Sequence, residues 1–367
     1  MAGFGGQSIM ADRLVRGLRT RGRVEVDFVS IDQPIRGFWS ILQRIKYVRT
    51  VVTTARYVTA LLRRLPQADV VHVFSASYWS FLLAPTPAIL LAWAFKTPVI
   101  LHYHSGEAED HLSRSRVATR IAGMAHVVAV PSAYLAQVFS AHGLSAVVIP
   151  NHVDPEEYRH CERTDRPQVV LSNRNFEALY NVGGLLDAFR TIQACHPDAQ
   201  LVVAGSGSQE ASLKALASDL DNVRFVGSVE PSEMGNLLDS ADLYLNASLI
   251  DNMPMSILEA FACGLPVVSS DAGGIPHIIE HGRNGLLAPA GDAEALAREA
   301  MRVFADPALG ASLASEARSD CVELYGARRA LAAWEGLYEE ALRSRASLRA
   351  AGEPPAPETM DQEASLG

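Results

Sequence analysis

The segment Ser248–Ser270 reads SLIDNMPMSILEAFACGLPVVSS and gathers residues whose types and spacing could do chemistry. Asp251 and Glu259 stand eight positions apart, and Pro254 opens a helical run between them. Proline suits a first helical turn, where its missing N–H is not needed. The amides of Met255, Ser256 and Ile257 would then be unbonded at a helix start, an anion site favoured by the helix dipole. Glu259 follows one turn later, in an apolar stretch with no basic residue near it in sequence. A buried lone carboxylate is costly, so Glu259 needs a partner. A diol such as a ribose would serve, by donating hydrogen bonds. An anion next to a diol is what a sugar nucleotide presents. The plainer reading is a helix whose polar position bonds to nearby backbone.

Other polar groupings are weaker. His102 and His104 share one side of a strand, with Glu107, Glu109, Asp110 and His111 after them. An H-x-H pair can bind metal in hydrolases, but no eightfold barrel pattern accompanies this one, and no metal site is expected. DLD (219–221) falls at a helix end and reads as a solvated turn. AGSGSQE (204–210) places Gly205 in a tight turn between a strand and a helix, a position suited to a ligand cleft.

The elements that must position these residues are legible as alternation. Strand candidates are VEVDFVS, DVVHVFS, PVILHYH, HVVAVPS and AVVIPN, then QVVLSN, QLVVAGSG, NVRFVG, DLYLNAS, PVVSS and GLLAP. Most are near-continuous apolar runs, the mark of parallel strands covered on both faces. Helical patterns separate them, which predicts two doubly wound α/β domains, with ligands at the carboxyl ends of the strands and in the cleft between domains. The junction falls in the polar segment 152–167. The reading is an N-terminal domain over 1–160, a second domain over 161–325, a helix over 326–345 crossing back to the first domain, and a disordered tail over 346–367. YWSFLLAPTPAILLAWAF (78–95) is interrupted by Pro85 and Pro87, short of a membrane span, and reads as a buried helix. MAGFGGQS opens a helix with no strand before it, although the first strand of such a sheet normally lies in its middle. The expectation is a native chain that starts upstream, and a gap between pairing partners without that strand.

At 367 residues, 49% of them hydrophobic, the chain is comfortable as two globular domains. Its four cysteines, Cys161, Cys195, Cys263 and Cys321, form no C-x-x-C and suggest a reducing, cytoplasmic setting. No signal peptide is expected from its first residues. The net charge of −9 is split: residues 1–160 carry 17 Lys and Arg against 11 Asp and Glu, and residues 161–367 carry 15 against 30. Between Gln33 and Ala68 stand seven cations and no acid, interleaved with aromatic and aliphatic residues. That composition fits a helix on an anionic membrane surface, or a domain helix with a solvated cationic face. Nucleic acid is not expected, since the chain is acidic and shows no nucleic-acid module.

DNMPMSILEAFACGLPVVSSDAGGIPHIIEHGRNGLLAPAGD resembles the sugar-nucleotide site of the retaining glycosyltransferases of family 4, which have the two-domain GT-B fold. GFGGQS (3–8), LHYHSG (101–106), IPNHVDPEEY (149–158) and LSNRNFEALYNVGGLLDAF (171–189) resemble further segments of that family, so the likeness covers nearly the whole chain. It implies two Rossmann-like domains facing across a cleft, acceptor on the first and nucleotide sugar on the second. It implies that Glu259 binds the ribose, that the Met255 and Ser256 amides bind phosphate, and that Arg174 neutralises the leaving group. It implies that Gly5 and Gly6 let backbone approach the diphosphate and that His104 contacts the transferred sugar. Neither cofactor nor metal is implied; the nucleotide sugar is the donor substrate. The acceptor would be a glycan, a lipid-linked or a small molecule, in cell-envelope polysaccharide synthesis, with 33–68 on the inner membrane face. Three positions depart from the pattern. Asp251 replaces the first glutamate of the pair, the phosphate-binding lysine falls near Tyr180–Asn181, and His277 stands where an acid is usual. These departures leave open a catalytically impaired protein that binds nucleotide or glycan. A sugar-nucleotide epimerase of similar fold is the third reading.

Overall fold

The computed structural model describes residues 6–31, 46–160 and 168–351. Pro150–Ala330 forms one compact unit, and the residues on either side of it form the other. The division thus falls at Ile149/Pro150, just ahead of the polar segment 152–167.

The N-terminal unit holds a parallel sheet of β1 (Val71–Ser75), β2 (Val99–Tyr103), β3 (Val127–Val130) and β4 (Ala146–Val148), paired in chain order. Alternation along β2 explains the two covered faces. Val99, Leu101 and Tyr103 join a cluster with Tyr57, Phe81, Ile89 and Phe139. Ile100 points the other way, into a cluster with Leu14, Leu18, Trp334 and Leu337. The helix Ala327–Ala351 begins in the C-terminal unit and belongs to the N-terminal unit from Leu331 onward. There Glu335 accepts from Arg21 Nε at 2.8 Å and Nη2 at 2.9 Å, and Arg345 donates to the carbonyls of Ala68 and Asp69.

Four expectations change here. VEVDFVS forms no strand: its backbone pairs with no neighbour among the described residues, and a strand exists only through its pairing. Val24, Val26 and Val29 still pack on the two clusters. The anticipated gap is absent, because the four described strands are contiguous and β1 lies at an edge. YWSFLLAPTPAILLAWAF is two helices, Tyr78–Leu83 and Pro85–Ala94, broken at Ala84 ahead of Pro85. One face is buried, whereas Trp79 (76%) and Trp93 (56%) are exposed. Residues 346–351 continue the last helix instead of fraying; 352–367 lie outside the described residues.

The C-terminal unit holds six parallel strands: β5 (Val169–Ser172), β6 (Gln200–Ala204), β7 (Val223–Gly227), β8 (Leu243–Asn246), β9 (Val267–Ser270) and β10 (Leu286–Ala288). Their spatial order is β10-β9-β8-β5-β6-β7. The chain winds outward from β5 through β6 to β7, then returns to place β8 on the other side of β5. The order reverses between β5 and β8, and a doubly wound sheet opens a crevice at the carboxyl ends of such a pair.

Candidate functional site

Arg174 follows β5 and Asp251 follows β8, so the topology itself brings them to that crevice. Arg174 Nη2 donates to the Asp251 carboxylate, and Nη1 donates to Ser256 Oγ at 2.9 Å. The two charged side chains are 10% and 12% exposed. The Arg174 guanidinium carbon lies 4.2 Å from the centre of the Tyr180 ring. Burial works to lower the Arg174 pKa, but Asp251, Tyr244, Tyr180 and Glu259 outweigh it and the net direction is up. Arg174 is a permanent cation, and Glu259, isolated in sequence, has its field on that cation.

The backbone around this pair is fixed by close approach. Gly205 takes φ +144°, and a Cβ there would lie 2.2 Å from the Arg174 carbonyl oxygen. Gly273 takes φ +55°, and a Cβ would lie 2.1 Å from the Asp251 carbonyl oxygen. The loops bearing Arg174 and Asp251 are therefore seated by glycines that no other residue replaces without strain. Asn252 N donates to Asp251 Oδ1 at 2.9 Å, and Ser248 Oγ lies 3.3 Å from Asp251 Oδ2.

The helix Met255–Ala262 starts beside Arg174, with Ser256 in its first turn. Pro254 is its N-cap, φ −67° and ψ 125°, rather than a first-turn residue, and makes no side-chain cap. The Ile257 amide donates to the Pro254 carbonyl at 3.2 Å, so it is not available as anticipated. The Met255 and Ser256 amides are first-turn groups without intrahelical acceptors. Glu259, 6% exposed, lies one turn further along. Asn151 Nδ2 donates to the Met253 carbonyl at 2.8 Å and ties the 150–153 segment to this helix start.

In the N-terminal unit, His104 follows β2, and its amide donates to the Ser75 carbonyl at 3.0 Å. Its ring stacks on Phe74 at 5.6 Å and lies 3.9 Å from His102. Burial lowers the His104 pKa to about 3, so the ring is neutral. His72 bridges the Tyr338 hydroxyl (2.8 Å) and His102 Nδ1 (3.1 Å), and burial first, His104 second, lowers its pKa to about 3. The H-x-H pair thus belongs to an aromatic stack; among the described residues no group of three His, Cys, Asp or Glu side chains is placed to hold a metal. Asp219 of DLD pairs with Arg190 at 2.9 Å on the surface.

Arg174, Gly205, Asp251, Met255, Ser256 and Glu259 thus meet in the C-terminal unit, and His104 belongs to the other. Gly5 lies outside the described residues, and Gly6 is the first residue of the helix Gly6–Arg21. His277 is exposed in a short turn. Sequence reasoning missed the Tyr180 stack, the Ser256 hydroxyl and the Asn151 tether. Asn151 and Tyr180 were within motifs already singled out, but their contacts link residues far apart in the chain.

Comparison with known proteins adds to this geometry. Residues 4–157 match the family Glycosyltransferase Family 4, and residues 154–320 match Glycosyl transferases group 1. The N-acetyl-alpha-D-glucosaminyl L-malate synthase of Bacillus anthracis is 28% identical over 49% of this chain and 47% of its own length. The amylovoran biosynthesis glycosyltransferase AmsK of Erwinia amylovora is 34% identical over 41% and 40%. The chain thus spans less than half the length of these curated relatives. A sucrose-phosphate synthase from Thermosynechococcus elongatus superimposes with a TM-score of 0.74 at 20% identity, over 93% of this chain and 94% of that one. HepE of Anabaena in complex with UDP-glucose does so with a TM-score of 0.71 at 20% identity, over 96% and 97%. At such identity these two establish the fold.

Proposed function

We propose, because the chain belongs to glycosyltransferase family 4, that it moves a sugar from a nucleotide-sugar donor to an acceptor with retention of anomeric configuration. The observation that carries this reading is Arg174 held at the switch point between β5 and β8, beside the start of the helix Met255–Ala262. The diphosphate would meet Arg174 and the Met255 and Ser256 amides. Those dipoles and that cation are in place before charge develops on the leaving group, so they cost no reorganisation during the reaction. Glu259 would accept from the ribose hydroxyls one turn away. His104, neutral, would serve as a hydrogen-bond partner of the transferred sugar, not as a cation. No dedicated nucleophile is invoked: leaving-group stabilisation and positioning carry the chemistry. A hexose donor and a metal-independent reaction belong to this reading. HepE, in complex with UDP-glucose, and a GDP-mannose-dependent mannosyltransferase of Corynebacterium glutamicum support a nucleoside diphosphate sugar as the donor class.

The phosphatidylinositol monomannoside in the name of the Corynebacterium glutamicum relative supports a glycan or lipid acceptor, and the reading extends to a peripheral protein at the inner membrane face. No helix among the described residues is long and apolar enough to cross a membrane. The helix Lys46–Arg64 exposes Arg49, Arg56 and Arg63 as a stripe at a seven-residue spacing; Val51 and Leu62 are exposed as well, about a third of a turn round the helix from that stripe. Such a face suits an anionic interface. The direct test of the reaction is product stereochemistry. Proton NMR of the glycoside formed from an α-linked donor should show an α product, and a β product would overturn retention.

A further inference from the structure

Arg174 is held on three sides, and two of its holders have no role yet. Asp251 and Ser256 take one N–H each from the guanidinium edge. Tyr180 covers a face, with its ring centre 4.2 Å from the guanidinium carbon. The turn carrying Tyr180 is itself strapped down. The Leu249 amide, two residues before Asp251, donates to the Leu179 carbonyl at 2.8 Å, and Ile250 N reaches the same oxygen at 3.3 Å. Asn181 takes a left-handed conformation (φ 49°, ψ 45°) and caps the next helix by accepting from Gly184 N at 3.2 Å. Tyr180 and Asp251 therefore sit on loops that are hydrogen-bonded to each other. Arg174 Nε keeps a buried N–H with no hydrogen-bond partner, whereas Nη1 and Nη2 both donate.

We propose that Asp251 and Tyr180 are positioning residues that clamp Arg174, and that neither contacts the donor's sugar. The inference rests on the functional reading above, since it needs Arg174 to meet the diphosphate. A guanidinium is planar and binds phosphate as a fork, so its orientation matters as much as its charge. The carboxylate fixes the edge of the plane and the ring fixes its tilt. At the position resembling the family's lysine, the ring brings no charge to the phosphate; it orients the Arg174 guanidinium instead. A shorter acid suits this task, because Asp251 meets Arg174 directly while its other oxygen accepts the Asn252 amide.

The test separates clamp from sugar contact by using ligands with and without the sugar. Kd values are measured by calorimetry for UDP, GDP, UDP-glucose and GDP-mannose on the full chain. The preferred base is the one the wild type binds. Tyr180→Leu should weaken the diphosphate and its sugar nucleotide by one common factor, roughly tenfold for a desolvated cation–aromatic contact. Tyr180→Phe, which keeps the ring, should stay within twofold of wild type. Asp251→Asn should likewise shift both ligands by one common factor. In an Arg174→Ala background both substitutions should lose their effect. A loss confined to the sugar nucleotide would overturn the clamp and make Asp251 a sugar contact. Full effects of Tyr180→Leu or Asp251→Asn without Arg174 would overturn it as well. If Arg174→Ala weakens the diphosphate but the other two variants do not, the clamp falls and the functional reading stands. If no diphosphate or sugar nucleotide binds the wild type, both fall. Circular dichroism and the urea midpoint of each variant show that a loss of binding is not a loss of fold.

Discussion

At the scale of single residues, the proposed roles separate leaving-group charge from donor recognition, and kinetics should separate them too. Arg174→Ala removes the cation beside the helix start and should lower kcat by about 100-fold or more, as loss of a preorganised donor to a developing anion does. Glu259→Gln keeps the volume but removes the charge that accepts from a diol. It should raise the donor KM by roughly tenfold with a smaller change in kcat, in line with hydrogen bonds to charged groups. Initial rates across donor concentration distinguish the two, and equal losses in kcat for both would contradict the division of labour. The buried histidines make a separate statement about pH. His72 and His104 have native pKa values near 3 against an ordinary 6.5. Below pH 6.5 the unfolded chain therefore binds protons that the native state refuses, and stability falls as pH drops from 6.5 towards 3. The urea midpoint should decline across that window, and less steeply in His104→Asn. An unchanged slope in that variant would show that His104 does not set it.

At the scale of elements, the strands were legible because parallel strands covered on both faces must be continuously apolar, as VVLS, LVVA and PVVSS are. VEVDFVS, β-branched but with two acids alternating between its apolar residues, forms no strand, since pairing is a property of two segments and composition a property of one. Pro85 marked a break that the apolar run around it obscured. In the site, Glu259 and the helix start were readable from local spacing. The Arg174–Asp251 pair was not, because 77 residues separate its members and sheet order alone joins them. The Tyr180 stack was hidden for the same reason. The glycines that seat these loops yield a prediction at this scale. Gly205→Ala adds a methyl group against the Arg174 carbonyl at a φ that L-residues rarely adopt. It should destabilise the C-terminal unit by about 3 kcal/mol and impair donor binding with it. Urea unfolding checks the first and calorimetry the second; a wild-type midpoint would refute the argument from close approach.

At the scale of the whole chain, the two α/β units carry opposite charge balances: residues 1–149 with 331–367 hold 19 Lys and Arg against 15 Asp and Glu, and residues 150–330 hold 13 against 26. The exposed arginines at 49, 56 and 63 predict that binding to sedimented vesicles rises with the fraction of anionic lipid and falls with added salt. Triple replacement of these arginines by glutamine should abolish that dependence, and binding indifferent to lipid charge would reject the membrane reading. On the proposed chemistry, a sugar nucleotide would release its nucleoside diphosphate in the crevice at β5 and β8. The most direct measurement incubates wild type and Arg174→Ala with a panel of UDP- and GDP-sugars and follows diphosphate release by mass spectrometry. The wild type should release diphosphate from at least one donor, and Arg174→Ala should do so about 100-fold more slowly. Donors that bind yet release nothing above blank, with or without glycan and lipid acceptors, would contradict the proposed chemistry, as would equal release by both proteins.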